Sequence, residues 1–378
     1  MSTKIILDCD PGIDDALAIA FAHGHPDIEL AGITTVAGNV GLTKTTANAL
    51  AVCEFIGAGS TPVTAGCAGP LLRPALDARE VHGDSGLGGA VLPPPVASPA
   101  PGHAIDYLID TLRAAPGEIT LVGTGPLTNI ALAVRREPRL TDWVRDFVIM
   151  GGSASRGNVT PAAEYNIWAD PEAAAVVFRA GWTVTMLGLD VTLRTSATAA
   201  VQQRMAGLGS LATDLLLPAL DQYRSVREPA GPPVHDVCAV AYVAQPDLFG
   251  LRPASVQIET AGVLTAGMTV TTSRFRPRPA SQAATRWSRW TSTWTGSGRP
   301  RSRLTAGWPP SGRPRARCLA RGLTRGLTRG LTRGLARRLT WRRLGRRRRA
   351  YLAAARSTPS SSSSYSRTVC SAASTRSA

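Results

Sequence analysis

Lys4-Ile5-Ile6-Leu7-Asp8-Cys9-Asp10-Pro11-Gly12-Ile13-Asp14-Asp15 is the stretch on which the reading of this chain turns. Residues 4–7 form a short apolar run typical of a buried strand, Pro11-Gly12 ends it, and residues 15–22 carry a helical pattern. The stretch therefore reads as the first βα unit of an α/β fold. Four carboxylates fall within eight residues at the strand's end, where they repel one another at neutral pH. A fold gathers them there when a cation or a hydrogen-bonded ligand offsets the charge. An all-oxygen cluster suits Ca²⁺, which takes several carboxylate, carbonyl and water ligands in flexible geometry. A plainer alternative is that Asp14 and Asp15 merely favour a helix N-terminus through its dipole.

Outward from this unit, apolar runs at 30–36, 119–123, 147–150 and 183–187 read as buried strands. Residues 43–56, 104–115, 127–136 and 171–180 read as helices between them. This alternation predicts a doubly wound, mostly parallel central sheet flanked by helices. Such sheets bind ligands beyond the carboxyl ends of their strands, where the acidic cluster sits. Residues 93–101 are rich in proline and read as a surface loop.

The acidic motif has companions in order along the chain: Thr34-Thr35-Val36-Ala37-Gly38-Asn39-Val40, Val81-His82-Gly83-Asp84, Thr124-Gly125-Pro126-Leu127-Thr128-Asn129 and Met150-Gly151-Gly152. Asn158, Glu164, Asn166 and the pair His235-Asp236 complete the set. With its DxDxxxDD opening, the chain resembles the inosine–uridine-preferring nucleoside hydrolase family from Lys4 to about Thr271. The resemblance implies hydrolysis of a ribonucleoside to free base and ribose, with attack by a Ca²⁺-activated water. It implies Asp10, Asp15, the Thr124 carbonyl and Asp236 as Ca²⁺ ligands, with Asp10 also the base that takes a proton from the attacking water. It places Asp14, Asn39 and Asn166 on the ribose 2′- and 3′-hydroxyls, and Asn158 and Glu164 on the 5′-hydroxyl. Such contacts suit a sugar that flattens toward an oxocarbenium ion. His235 corresponds to a histidine that protonates the departing base, His82 to one lying near the base; imidazole suits such a role because it titrates near neutral pH. Taken singly, either histidine reads as structural, and Tyr223 as an ordinary half-buried tyrosine. A homo-oligomer, dimer or tetramer, is a further implication of the resemblance.

Charge divides the chain sharply. All 26 acidic residues precede residue 260, whereas only 16 of the 42 Lys and Arg precede residue 271; residues 1–270 carry −10 and residues 271–378 carry +26. Five of the eight tryptophans lie in this second part, and Arg-Gly-Leu-Thr repeats three times between Arg321 and Thr332. Glycine at every fourth position opposes a helix, and the lack of acids removes internal ion pairs. A catalytic domain at 1–271 lacking the family's last strand and helix, followed by a disordered basic tail at 272–378, is the organisation expected.

A shifted reading frame would account for this tail, with codons chosen to be rich in G and C. Back-translated with G/C-rich codons and reread one base earlier, Trp287 to Gly298 becomes Val-Val-Ala-Leu-Asp-Val-Asp-Val-Asp-Arg-Phe-Trp. Two rival functions follow from the tail: polyanion binding through its arginines and tryptophans, or an inactive, unstable hydrolase. No nucleic-acid module surrounds these residues, so no specific nucleic acid is expected. Gly83-Asp84-Ser85-Gly86-Leu87-Gly88-Gly89 is glycine-rich but lacks the Lys-Ser/Thr of a phosphate-binding loop. Six cysteines without regular spacing fit a reducing compartment. Without a leader or membrane span, the cytoplasm is the expected location.

Overall fold

A computed structural model of the chain describes residues 2–223 and 231–272 in full, and the backbone of 285–289. Among the described residues nine strands run β1 (Thr3–Cys9), β2 (Ile28–Thr35), β3 (Val63–Ala65), β4 (Ile119–Gly123), β5 (Asp146–Met150), β6 (Val184–Leu187), β7 (Gly250–Ile258), β8 (Thr269–Thr272) and β9 (Thr285–Arg289). They form one sheet in the order β3-β2-β1-β4-β5-β6-β9-β7-β8. The first six are mutually parallel. β9 continues parallel to β6, whereas β7 is antiparallel to β9 and β8 to β7.

Both sheet faces are covered, as the βα rhythm predicts. Alternation along β1 sends Ile5, Leu7 and Cys9 into one core and Ile6 into the other. The first core contains helices α1 (Ile13–Gly24) and α2 (Leu42–Ile56), joined by Val237–Ala244. The second contains the helices Ala104–Ala114, Thr128–Arg136 and Pro171–Phe178. Each inward strand residue is thus buried under a helix, the main source of stability for the fold.

Strand order reverses between β1 and β4, so the loops leaving these neighbours diverge to opposite faces and open a crevice. Asp8 pairs in register with Gly123, which brings Asp10 and Thr124 to that crevice. Residues 93–101 form a loop held by the Glu54 carboxylate, which accepts the Val96 and Ala97 N–H groups at 2.9 and 2.6 Å.

The expected domain boundary falls at Thr271. β9 lies beyond it and fills the sheet position between β6 and β7. An empty slot there would leave ladder groups of β6 and β7 unpaired, and Thr285-Arg286-Trp287-Ser288-Arg289 supplies the paired strand, with Thr and Trp among its five residues. The rest of the expected tail, 273–284 and 290–378, lies outside the described residues. Among the described residues no helix is long and apolar enough to cross a membrane. Cys9, Cys53, Cys67 and Cys238 are free thiols.

Candidate active site

The turn after β1 brings its carboxylates to the head of α1 and buries them all: Asp8, Asp10, Asp14 and Asp15 are each 4% exposed or less. Asp236, at the N-cap of the helix Val237–Ala244, joins them from the far end of the sequence. Ligand atoms of Asp14, Asp15 and Asp236 lie within 4.8 Å of one another, a separation that suits a shared metal ion. No buried Lys or Arg offsets them among the described residues. Burial raises the carboxyls of Asp10, Asp14, Asp15 and Asp236, and repulsion from neighbouring carboxylates adds to it at Asp10, Asp14 and Asp236; Asp14 rises to about 7, and Asp10 and Asp236 rise well above the ordinary range. Asp14 and Asp236 share a hydrogen bond, which two ionised carboxylates cannot form.

Asp10 is held on one side only. Its Oδ2 accepts the Asn39 N–H at 2.7 Å, while its buried Oδ1 has no partner. Close approach here requires glycine: a Cβ on Gly38 or Gly125 would lie 2.1 and 2.6 Å from Asp10 oxygens. Asn39 spans the cluster, its Nδ2 donating to the Asp10 carbonyl at 3.0 Å and to Asp15 Oδ2 at 3.1 Å. Asp15 Oδ1 accepts from the Thr124 hydroxyl at 2.9 Å, and Gly12 N–H donates to Oδ2 at 3.0 Å.

The Thr124 carbonyl, an expected ligand, accepts from Asn166 Nδ2 at 2.8 Å, and the same amide reaches the Met150 carbonyl at 3.1 Å. Glu164 caps the short helix Tyr165–Ala169 by accepting Asn166 and Ile167 N–H, and it accepts the Gly152 N–H at 2.8 Å. Burial still pushes its pKa up to about 7. Asn158 is exposed, its Oδ1 accepting the Tyr165 N–H at 3.0 Å. Glu164, Asn166 and Asn158 are thus neighbours along one segment, braced by backbone groups.

His235 is buried, with Nδ1 2.8 Å from the Thr192 hydroxyl; burial lowers its pKa to about 4. His82 is also buried, and burial with a smaller contribution from His235 lowers it to about 3. Tyr223 sets its ring edge-on to His82 at 5.7 Å and is only 8% exposed, which corrects the reading of an ordinary half-buried tyrosine.

Sequence reasoning assigned no role to Asn129, Thr34 or Thr192. Asn129 Nδ2 donates to Asp8 at 2.8 Å and to the Thr35 carbonyl at 3.0 Å, and its Oδ1 accepts the Cys67 N–H at 2.8 Å. Thr34 donates to the same Asp8 oxygen at 2.5 Å. Asp8 therefore ties strand ends together from beneath the cluster. The available signal was its place on the strand itself, two residues before the loop that holds Asp10.

The family model for inosine-uridine preferring nucleoside hydrolases matches residues 5–295. The inosine-uridine preferring nucleoside hydrolase of Leishmania major is 49% identical over 284 residues, covering 74% of this chain and 90% of that protein. A pyrimidine-specific ribonucleoside hydrolase of Escherichia coli O157:H7 is 46% identical over 260 residues, covering 68% and 82%. Among solved structures, a purine-preferring ribonucleoside hydrolase from Gardnerella vaginalis superposes with a TM-score of 0.75 at 29% identity, covering 88% of this chain and all of that one. With its acidic crevice at the β1/β4 switch and its sequence matched across every strand, the chain belongs to the inosine-uridine preferring nucleoside hydrolase family.

Proposed function

We propose that the chain hydrolyses the N-glycosidic bond of ribonucleosides in a Ca²⁺-dependent reaction, with Asp10 as base and His235 as acid. The observation that carries this reading is the buried, uncompensated carboxylate group at the switch point, with Asp10 Oδ1 unpartnered beside it. These donors fit a hard divalent cation: they are all oxygen, those of Asp14, Asp15 and Asp236 lie within one ion's reach, and a carboxylate so deeply buried requires positive charge to stay ionised. Asp10, Asp15, Asp236 and the Thr124 carbonyl would hold it, with Asp14 adjoining. When bound, Ca²⁺ supplies the charge that keeps these groups ionised and makes a neighbouring water more acidic.

The remaining chemistry belongs to the chain. Asp10, fixed by the Asn39 N–H through one oxygen, has the other free to accept a proton from the attacking water. Asp14, Asn39 and Asn166 orient the ribose 2′- and 3′-hydroxyls. Glu164 has accepted three backbone N–H groups, and a carboxylate offers about four acceptor positions, so one is left for the 5′-hydroxyl beside Asn158. His235 is held neutral by burial at rest, so it takes up a proton from solvent before it can act; negative charge growing on the departing base favours that protonated form, which gives its proton to the base as the bond breaks. Burial of the carboxylate end of the crevice keeps bulk water from the cation that forms at C1′. The reading carries with it a homo-oligomer and a cytoplasmic location.

Ribose release from inosine and uridine, measured before and after chelation and again after Ca²⁺ add-back, tests the proposal. Loss on chelation with recovery on add-back is expected. Full turnover by the metal-free protein would overturn it.

A further inference from the structure

His82 makes a contact that its expected place near the base does not explain. Its Nδ1 accepts the Ile13 N–H at 3.1 Å. A backbone N–H can only donate, so Nδ1 carries the lone pair and the ring proton sits on Nε2. Ile13 is the first residue of α1, and the next two are Asp14 and Asp15. Helix-start N–H groups have no partner within the helix, and neither the N-cap residue Gly12 nor any side chain of its own satisfies this one. The fit is close: a Cβ on Gly12 would lie 2.5 Å from His82 Nδ1 and 2.6 Å from Asn39 Nδ2.

His82 is itself anchored. The Gly88 N–H donates to its carbonyl at 2.8 Å, folding the glycine-rich loop back upon it, with Gly83, Gly86 and Gly88 all at positive φ. From α2, Asn48 Nδ2 donates to the Ser85 carbonyl at 2.9 Å and to the Pro11 carbonyl at 3.0 Å, and Lys44 Nζ to the Asp84 carbonyl at 2.6 Å. One turn separates Lys44 from Asn48, so both face the loop. The glycine-rich loop, which lacks the residues for phosphate, instead joins α2, the Pro11 turn and His82 into one brace around the head of α1.

We propose that His82 is a positioning residue whose Nδ1 accepts the Ile13 N–H, sets the first turn of α1, and so aims Asp15 at the cation with Asp14 beside it. The inference rests on the function proposed above. Groups one shell away from metal ligands change metal affinity by about 10–100-fold when removed. The test is Ca²⁺ titration calorimetry on the full chain without substrate, with kcat and KM for inosine, for His82→Asn, His82→Gln and His82→Ala. Asn carries an acceptor at the Nδ1 position, whereas Gln moves it one bond outward. Ca²⁺ affinity and kcat are expected to fall about 10-fold in the Ala and Gln variants and to return to within about 3-fold of the original in Asn. Should the Ala variant not fold, the Asn and Gln pair decides. Unchanged Ca²⁺ affinity in every folded variant, with only KM raised, would overturn the positioning role and leave His82 a substrate contact. Equal losses in Asn and Gln would overturn it too. If the unaltered chain neither binds Ca²⁺ nor releases ribose, the function itself falls, and the brace as a metal-positioning device falls with it.

Discussion

At the scale of single residues, the catalytic proposal separates two groups by what each does to the bond. Asp10→Asn keeps the side chain's shape and replaces the unpartnered Oδ1 and its charge, so turnover of inosine is expected to fall by roughly 10³-fold, within the range for loss of a general base. Circular dichroism and melting should show the fold retained, since the Asn39 N–H still finds an acceptor. His235→Ala removes a proton donor, which matters only where the leaving base needs a proton. Hydrolysis of inosine should drop by about 10²-fold or more, while nitrophenyl riboside, whose leaving group departs as a stable anion, should lose less than about 10-fold. Equal losses on both substrates would remove His235 from the role of acid. The hydrogen bond to Thr192 makes the comparison clean, because it shows the ring held by its neighbours without substrate.

At the scale of elements, what the sequence disclosed depended on the distance over which each signal acts. β1, β2, β4, β5 and β6 are apolar runs buried on both faces, so each was legible within its own few residues. β3 has three residues, too few for any period to register. β7 carries Arg252-Pro253, which argues against a strand interior; β8 pairs only with Ser255–Ile258, so Pro253 sits where β7 has a partner on one side alone. The site divides in the same way. Asp8 to Asp15 announced themselves by local crowding of charge, and the family motifs supplied the rest, but the His82 to Ile13 bond spans 69 positions and the Asn129 to Asp8 bond 121, distances at which no spacing pattern survives. β9 was hidden by composition, since a strand slot is defined by its neighbours' open backbone groups. Its place in the ladder makes a prediction: a chain ending at Thr272 should melt below one ending at Thr293, by roughly 5 °C, because truncation leaves β6 and β7 with unpaired edges inside the sheet. Equal melting temperatures would show that β9 contributes nothing to the fold.

At the scale of the whole molecule, charge governs both stability and the origin of the C-terminal region. Asp14 and Glu164 have ordinary values of 3.8 and 4.5 that the fold raises to about 7, so between those limits the folded chain binds more protons than the unfolded one. Stability of the metal-free protein should therefore be fully present at the acid end of that window and decline as pH rises through about 7. Ca²⁺ should raise the melting temperature more at pH 8 than at pH 5, since it binds the ionised group; a shift independent of pH would contradict the charge argument. The +26 carried beyond residue 270 has no acid within its own segment, so those charges repel one another wherever that segment is compact by itself. Yet β9 falls where the reread frame supplies Val-Val-Ala at 287–289, followed by Leu-Asp-Val-Asp-Val. The strand slot and the apolar text overlap at 287–289, although one comes from backbone pairing and the other from codon arithmetic. Burying two or three of those side chains would add about 5 kcal/mol at ~1.5–3 kcal/mol each. A gene corrected by one inserted base after the Thr271 codon is thus expected to give a protein melting about 10 °C higher, with greater nucleoside turnover and weaker salt-sensitive binding to polyanions than the present chain. Should the present chain melt higher and turn over faster than the corrected one, the frameshift account is wrong and the basic region belongs to the protein's working sequence.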